Sequence, residues 1–272
     1  MNIGLIGYGR MGKMVEAVSL ARGHRIVTIL DPLVCPGAAY EPEKADVLIE
    51  FSGPAAAVDN IKAAVMAGKA VVSGSTGWRE RFPEVSDAVE RAGTALLWAS
   101  NFSLGVNLFY RIAAYAARQF DPFGDYRLGG LEVHHDRKLD SPSGTAKTLM
   151  ERVLAARKQK ERVRWDGPAA PPEAVSRDES IPRGEAAPGT IHFASLRCGS
   201  VPGTHSLYFD SPADTVEITH TARNREGFAS GAVIAAEWLA GCSGPGTPAG
   251  AAFPGGRRGV FTMDDVLKDI LP

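Results

Sequence analysis

Residues 132–146 read Glu-Val-His-His-Asp-Arg-Lys-Leu-Asp-Ser-Pro-Ser-Gly-Thr-Ala and bring two adjacent imidazoles, an ammonium and a helix-start signal together. Imidazoles exchange protons near neutral pH. A lysine and the N–H groups of a helix N-terminus both hold carboxylates. His134 and His135 close a strand-like run, and successive strand residues face opposite sides. For both to reach one ligand, the strand end or a bulge must re-aim one of them. Ser141 with Pro142 at the first helical position, or Ser143 itself, is the expected cap. Gly144 and Thr145 then offer backbone N–H groups to an anion, and Thr145 adds a hydroxyl. Lys138 adds a point charge and a second proton source. Reducing a C=N or conjugated C=C bond needs a hydride and a proton, and a histidine suits the proton. The bland alternatives are a structural histidine and a solvated lysine. Their company with a helix cap favours chemistry. No metal is expected, because adjacent histidines do not present both rings to one face and no H-E-x-x-H or cysteine pair is nearby.

A hydride source is written at the start of the chain. Gly7-Tyr8-Gly9-Arg10-Met11-Gly12 fits G-x-G-x-x-G and falls between a buried strand and an amphipathic helix. The first glycine permits the turn, the second lets a pyrophosphate approach the backbone, and the third lets helix pack on strand. Asp31 ends the second strand, about 20 residues on, where an acidic side chain accepts from a ribose hydroxyl. No arginine follows it, so NADH is expected over NADPH, with Arg10 in the turn as the group that could still serve a phosphorylated cofactor. Gly74, Ser75 and Thr76 follow the fourth strand, and Ala99, Ser100, Asn101 and Phe102 follow the fifth. Both segments sit where an open parallel sheet binds ligands, and both also read as ordinary turns. Phe102 either packs on a nicotinamide face or seals the core.

The elements that must position these groups fall into two rhythms. Through residue 99, strands at 3–6, 25–30, 46–51, 69–73 and 95–99 alternate with helices at 11–21, 54–67 and 79–92, which predicts a Rossmann-type doubly wound parallel sheet. A long helix follows at 104–120, a strand at 126–135 and a helix at 143–160. Strands at 190–198, 205–210 and 215–222 then come in close succession, which predicts a second, α+β domain with a mixed or antiparallel sheet. Residues 226–239 and 263–271 read as helices, 168–188 and 241–259 as loops. The basic run 152–164 reads as a solvated helix face. The expected domains are 1–103 plus 223–272 for the dinucleotide, and 104–222 for substrate binding and oligomerisation. The 272 residues carry a net charge of −1, so no global field recruits nucleic acid or a membrane surface. No run is long enough for a membrane span. The three cysteines, Cys35, Cys198 and Cys242, are far apart and read as free thiols. With no export signal expected at the start, the location expected is cytoplasmic.

With these residues in hand, the chain resembles the dihydrodipicolinate reductase family along essentially its whole length. The strongest match is 132–146, which is similar to the family signature E-x-H-H-x-x-K-x-D-x-P-S-G-T-A. Gly9–Gly12, Gly74-Ser75-Thr76-Gly77, residues 101–107, Arg197, Gly203, His205, residues 217–220, 225–228 and 263–267 also match. The resemblance implies NAD(P)H-dependent reduction of 4-hydroxy-tetrahydrodipicolinate, a small cyclic dicarboxylate, in lysine and diaminopimelate biosynthesis. It implies His134 as proton donor or acceptor and Lys138 as a second proton donor. It places His135, Gly144, Thr145 and Arg225 on the substrate, and Gly7–Gly12, Asp31, Gly74–Thr76 and Ala99–Phe102 on the dinucleotide. It also implies a homotetramer built through the second domain's sheet. The chain departs from the pattern in a glycine turn one residue shorter than in many members, and at Ser75, Ser100 and Ser141. Two other readings stay open: another two-domain amino-acid or sugar dehydrogenase, and a non-catalytic dinucleotide-sensing regulator. Neither needs the His134–Lys138 constellation.

Overall fold

The computed structural model describes residues 1–34, 36, 40–159, 161–166, 189–241 and 256–271. The chain divides into two compact units, Met1–Leu104 with Arg225–Pro272, and Gly105–Asn224.

The first unit runs β1 (Asn2–Ile6), α1 (Arg10–Ala21), β2 (Arg25–Leu30), β3 (Val47–Glu50), α2 (Pro54–Met66), β4 (Ala70–Ser73), α3 (Phe82–Ala92) and β5 (Ala95–Trp98). After the second unit it resumes with α6 (Glu226–Ala240), β11 (Gly259–Phe261) and α7 (Met263–Ile270). Its sheet has the order β11-β5-β4-β3-β1-β2, with every neighbouring pair parallel. Alternate strand residues serve opposite faces. Ile3, Leu5, Val47 and Ile49 pack with α1, α6 and α7, while Ile6, Leu48, Val71 and Leu96 pack with α2 and α3. Burial on both faces makes each strand a nearly continuous apolar run. The chain steps from β1 to β2, then returns to lay β3 on the other side of β1. The topological switch point therefore lies between β1 and β3, and ligands of such sheets gather beyond the strand ends there.

The C-terminal segment is anchored into this unit by charge as well as packing. Glu237 of α6 is fully buried. It accepts from Arg22 Nη2 at 2.6 Å and Nε at 2.8 Å, and it meets His24 Nε2 at 2.7 Å. A buried carboxylate is tolerable when partners satisfy it this fully. β11 corrects the sequence reading, which had residue 259 inside a loop. Three residues are too few to show a periodicity, and the strand exists through its pairing with β5, Gly259 opposite Ala95 and Phe261 opposite Leu97.

The second unit runs α4 (Leu104–Phe120), β6 (Arg127–His134), α5 (Gly144–Ala156), β7 (Arg162–Asp166), β8 (Thr190–Arg197), β9 (Thr204–Asp210) and β10 (Thr215–Thr221). Its mixed sheet has the order β10-β9-β6-β8-β7, antiparallel at the β10 end and parallel at the β7 end. Phe109, Tyr110 and Ala113 of α4 and Leu149 and Val153 of α5 cover sheet residues Ile191, Phe193, Leu207 and Phe209.

Two readings of this region are corrected. The helix expected to reach residue 160 stops at Ala156, and Arg157 is already extended at φ −95°, ψ 148°. Residues 162–164, expected on a solvated helix face, belong to the strand Arg162–Asp166, parallel to β8. Val163 and Trp165 alternate with charged neighbours and lean on the core, a period-2 pattern hidden by the surrounding Lys and Arg. Arg157 is not solvated either. Its side chain is 3% exposed, between Glu161 at 2.5 Å and Asp121 at 3.6 Å. The 168–188 loop, most of the 241–259 loop, Cys35 and Cys242 lie outside the described residues. Cys198 is an exposed free thiol.

Candidate active site

In the second unit the site grows from the end of β6. His134 is its last residue and is buried. His135 has left the strand, so the strand end supplies the break in alternation that the sequence required. Ser143 proves to be the helix cap. Its hydroxyl accepts from Ala146 N at 3.1 Å, and its backbone is extended at φ −66°, ψ 157°. Gly144, exposed, and Thr145 form the first turn of α5 behind it. A Cβ on Gly144 would meet nothing within 4 Å, so open space lies beside the helix start. Lys138 sits in the connecting loop with its ammonium 2.7 Å from Asp140 Oδ1. Burial opposes ionisation of Asp140, but the hydrogen bond from Lys138 wins and holds that carboxyl below its ordinary range.

The group that organises all this is one the spacing argument passed over. Glu132, two residues before His134, is fully buried. Its Oε1 accepts from Ser143 N at 3.0 Å, Ser195 Oγ at 2.8 Å and Arg197 Nη2 at 3.4 Å. Its Oε2 lies 3.5 Å from His134 Nδ1 and 3.4 Å from His205 Nε2. Burial would raise the Glu132 carboxyl, yet the hydrogen bonds from His205, Ser143 and Ser195 overcome that and hold it well below the usual range. Arg197 also donates to the Asp140 carbonyl at 2.6 Å, pinning the loop that carries Lys138. Burial pushes the His134 imidazole down to about 4, against the opposing pull of Glu132. A signal for Glu132 did exist, since i and i+2 of a strand share a face and put Glu132 beside His134. His205 comes from β9, 71 residues downstream in number, and no local spacing could pair it with His134.

Glu132, His134 and His205 bring one ligand atom each within 4.8 Å, a spacing a metal ion could use. The donor set fits a cation poorly. Arg197 already supplies the positive charge at this carboxylate, and Lys138 stands on the same side of the electrostatic balance around His134.

In the first unit the glycine turn closes the switch point. Gly7 follows β1 at φ +88°, a conformation L side chains rarely adopt, and its N–H donates to the Leu30 carbonyl at 2.8 Å. A Cβ on Gly12 would lie 2.2 Å from the Gly7 carbonyl oxygen, whereas one on Gly9, the cap of α1, would meet nothing within 4 Å. The turn is therefore closed toward the protein at Gly7 and Gly12 and open at Gly9, beside a helix N-terminus. That cradle fits a dinucleotide pyrophosphate. Arg10 and Met11 begin α1, and Tyr8 pairs its hydroxyl with Glu16. Asp31 is tied into the turn itself. Its Oδ2 accepts from Tyr8 N at 2.7 Å, and its Oδ1 from Leu33 N and Val34 N at 3.0 Å. The Tyr8 bond leads in holding this carboxyl below its ordinary value.

The remaining cofactor candidates divide. A Cβ on Gly74 would lie 2.0 Å from the Phe51 ring, and Thr76 is exposed. Ser75 is turned inward, donating to Glu50 Oε1 at 2.7 Å, and its carbonyl accepts from Trp78 and Trp98. Glu50 is itself fully buried and also receives Ser52 and Ser73, a clamp on the ends of β3 and β4 that sequence reasoning missed. Ala99 is buried, Ser100 is exposed, and Asn101 Oδ1 accepts from Ser103 N at 2.9 Å. Phe102 is 2% exposed and packs edge-on against Phe51, so it seals the core. Arg225 caps α6 and belongs to the first unit, whereas His134, His135, Lys138, Gly144 and Thr145 belong to the second.

Residues 1–102 match the family described as dihydrodipicolinate reductase, N-terminus, and residues 105–267 the family described as dihydrodipicolinate reductase, C-terminus. The chain belongs to the dihydrodipicolinate reductase family. A 4-hydroxy-tetrahydrodipicolinate reductase of Christiangramia forsetii is 38% identical over 99% of both chains. One of Methanoculleus marisnigri is 34% identical over 84% of both. Among solved structures, the dipicolinate-bound dihydrodipicolinate reductase of Paenisporosarcina sp. TG-14 shares the fold, with a TM-score of 0.68 at 20% identity over 96% of this chain and 97% of that one. The doubly wound sheet with a second mixed sheet, expected from the rhythm of the sequence, is the fold of this family. Family membership retires the sugar-dehydrogenase and regulator readings. No described helix is long and apolar enough to cross a membrane.

Proposed function

We propose that the protein is a 4-hydroxy-tetrahydrodipicolinate reductase of lysine and diaminopimelate biosynthesis, with NAD(P)H as hydride source. The observation that carries the reading is the meeting of His134, the Lys138 loop and the Ser143-capped start of α5 around one buried carboxylate. In this reading the substrate is a cyclic dicarboxylate. The first-turn N–H groups of Gly144 and Thr145, with the Thr145 hydroxyl, take one carboxylate. His135 and Lys138 serve the carboxylates as well, and Lys138 must leave Asp140 to do so. Arg225, the α6 cap, is proposed as a further substrate contact.

The nicotinamide, when bound, supplies hydride. What this chain supplies is the proton and its control. In the protein alone His134 is neutral at pH 7. A dianionic substrate beside it raises its proton affinity, as any nearby negative charge does. His134 therefore becomes a proton donor as the substrate arrives, and Lys138 is the second donor.

The first unit holds the dinucleotide through Gly7–Gly12, Asp31 and the loops after β4 and β5. NADH is preferred to NADPH because the Asp31 carboxylate disfavours a neighbouring phosphate and no arginine follows it. The second unit binds substrate and builds a homotetramer, for which exposed Leu196 and Val216 on its sheet are support. The location is cytoplasmic. The direct test follows NADH and NADPH oxidation with enzymatically generated 4-hydroxy-tetrahydrodipicolinate. Turnover, with kcat/KM greater for NADH, is expected. A preference for NADPH would overturn the role given to Asp31, and no turnover with either would overturn the substrate. Sedimentation at micromolar concentration tests the tetramer.

A further inference from the structure

The proton donor of a reductase must present one nitrogen to the substrate, in one tautomer. We propose that Glu132 and His205 are positioning residues that fix the ring and tautomer of His134 from behind, while Gly203 keeps its reactive edge clear. This rests on His134 being the proton-transfer group of the function above.

The geometry is specific. Glu132 Oε1 is committed to Ser143 N, Ser195 Oγ and Arg197 Nη2, which fixes the carboxylate plane. Oε2 is left facing two rings, 3.5 Å from His134 Nδ1 and 3.4 Å from His205 Nε2. Both Oε2 and His134 Nδ1 are buried without another hydrogen-bond partner. An orphaned carboxylate oxygen beside an orphaned ring nitrogen is costly unless that nitrogen carries a proton. The arrangement therefore selects Nδ1–H and leaves Nε2 as the nitrogen that exchanges protons with substrate. His205 braces the ring edge to face, centroids 5.1 Å apart at 75°, and is itself held by Ser143 Oγ at 3.2 Å. On the opposite edge, a Cβ at Gly203 would stand 3.0 Å from His134 Nε2. Gly203 also has φ +152°, which other residues rarely adopt.

The charged and titratable groups around His134 come from four places. Glu132 precedes it on β6, Arg197 is on β8, His205 is on β9 and Lys138 is in the following loop. His220, on β10, interacts with His205. Glu132 is the one negative charge in this set. Its removal lowers the proton affinity of His134, so the protonated donor is lost at lower pH.

The test compares full-length wild type with Glu132→Gln, Glu132→Asp and His205→Gln. The readouts are pH profiles of turnover and the ¹⁵N shifts of the His134 ring, assigned with His134→Gln. Glu132→Gln should cut kcat tenfold or more, leave KM for NADH unchanged, and move the alkaline limb of kcat down by about one pH unit. Glu132→Asp restores the charge and should return the limb, even if kcat stays low. His205→Gln should lower kcat with the limb in place. Mixed Nδ1–H and Nε2–H signals in Glu132→Gln, against a single tautomer in wild type, support the proposal. An unchanged tautomer and limb in Glu132→Gln overturn it; should that variant not fold, His134 ring shifts and kcat left unchanged by His205→Gln overturn it. The ring spectra need no turnover. A wild type that does not reduce the substrate overturns the function, while a tautomer shift still supports the positioning role.

Discussion

The two sites solve opposite problems with opposite materials. The cradle proposed for the dinucleotide in the first unit is made by absence. Gly7 and Gly12 have no side chain because any Cβ would strike backbone at 2.4 or 2.2 Å. Its acidic contributor, Asp31, spends both oxygens on backbone N–H groups of the same turn region. The chemical site in the second unit is made by presence. It is a buried carboxylate with hydrogen-bond donors from β8 and the α5 cap and imidazole rings from β6 and β9 facing its second oxygen. A backbone cradle tolerates no added atoms at Gly7 or Gly12, and those glycines have nothing to ionise. A side-chain network tolerates isosteric change poorly whenever charge or proton position alters. That contrast orders the effects expected from breaking each.

The largest effect is expected from His134→Gln, which keeps volume and removes the transferable proton. Loss of a positioned general acid costs about 10²–10⁴-fold in rate. kcat should fall by that much with NADH affinity unchanged, measured by stopped-flow and by quenching of cofactor fluorescence. A loss of NADH affinity to match would erase the division between the two sites. Next comes Lys138→Met, expected to lower kcat/KM by roughly 10- to 100-fold, because a charge-assisted carboxylate contact is worth about 1.5–3 kcal/mol. Its partner change, Asp140→Asn, frees the ammonium and should lower KM for the dicarboxylate. In the first unit, Gly12→Ala should act the other way round. Its Cβ meets an unyielding backbone oxygen, so stability falls by about 1–3 kcal/mol and dinucleotide affinity with it. Protein that still binds NADH normally after Gly12→Ala would show that the turn is looser than this geometry.

The same contrast governs what the sequence could reveal. The cradle was legible because its physics is local, with three glycines in six residues and an acid at the next strand end. Gly74 and the Ser143 cap were legible for the same reason. The chemical site was half legible. His134, His135 and Lys138 lie close together in the chain, but the carboxylate that controls them was passed over as one acid among many. His205 and Arg197 join through strand pairing across β6, β8 and β9, which no spacing encodes. Phe102 and Ser75 show the converse. Their motif position suggested ligand contact, while tertiary packing turned one into the core and the other toward Glu50. The strand at 162–166 was missed because its two apolar residues were outnumbered by charge.

The last expected effect is thermodynamic, and it separates the two sites without any substrate. His134 is held neutral by burial, with its pKa lowered to about 4 from the ordinary 6.5. Above pH 6.5 neither the folded nor the unfolded chain protonates this ring, so it contributes no pH dependence. Between pH 6.5 and about 4 the unfolded chain binds a proton that the folded chain refuses, so stability falls as pH falls. Below about 4 both forms are protonated and the dependence from this group ends. Wild type should therefore lose stability through that window more steeply than His134→Gln, by up to about 3 kcal/mol across it, in urea titrations at closely spaced pH values. Asp31, lowered by its backbone donors, acts on the cradle with the same sign in a lower window: its stabilisation is present above the ordinary carboxylate range and is lost as pH falls further and the folded-state group protonates. A difference curve between wild type and His134→Gln that is flat from pH 7 to 4 would mean the folded ring binds its proton over the same range as the unfolded chain. Glu132 would then offset the whole cost of burial, and the ring would not be held neutral by the fold.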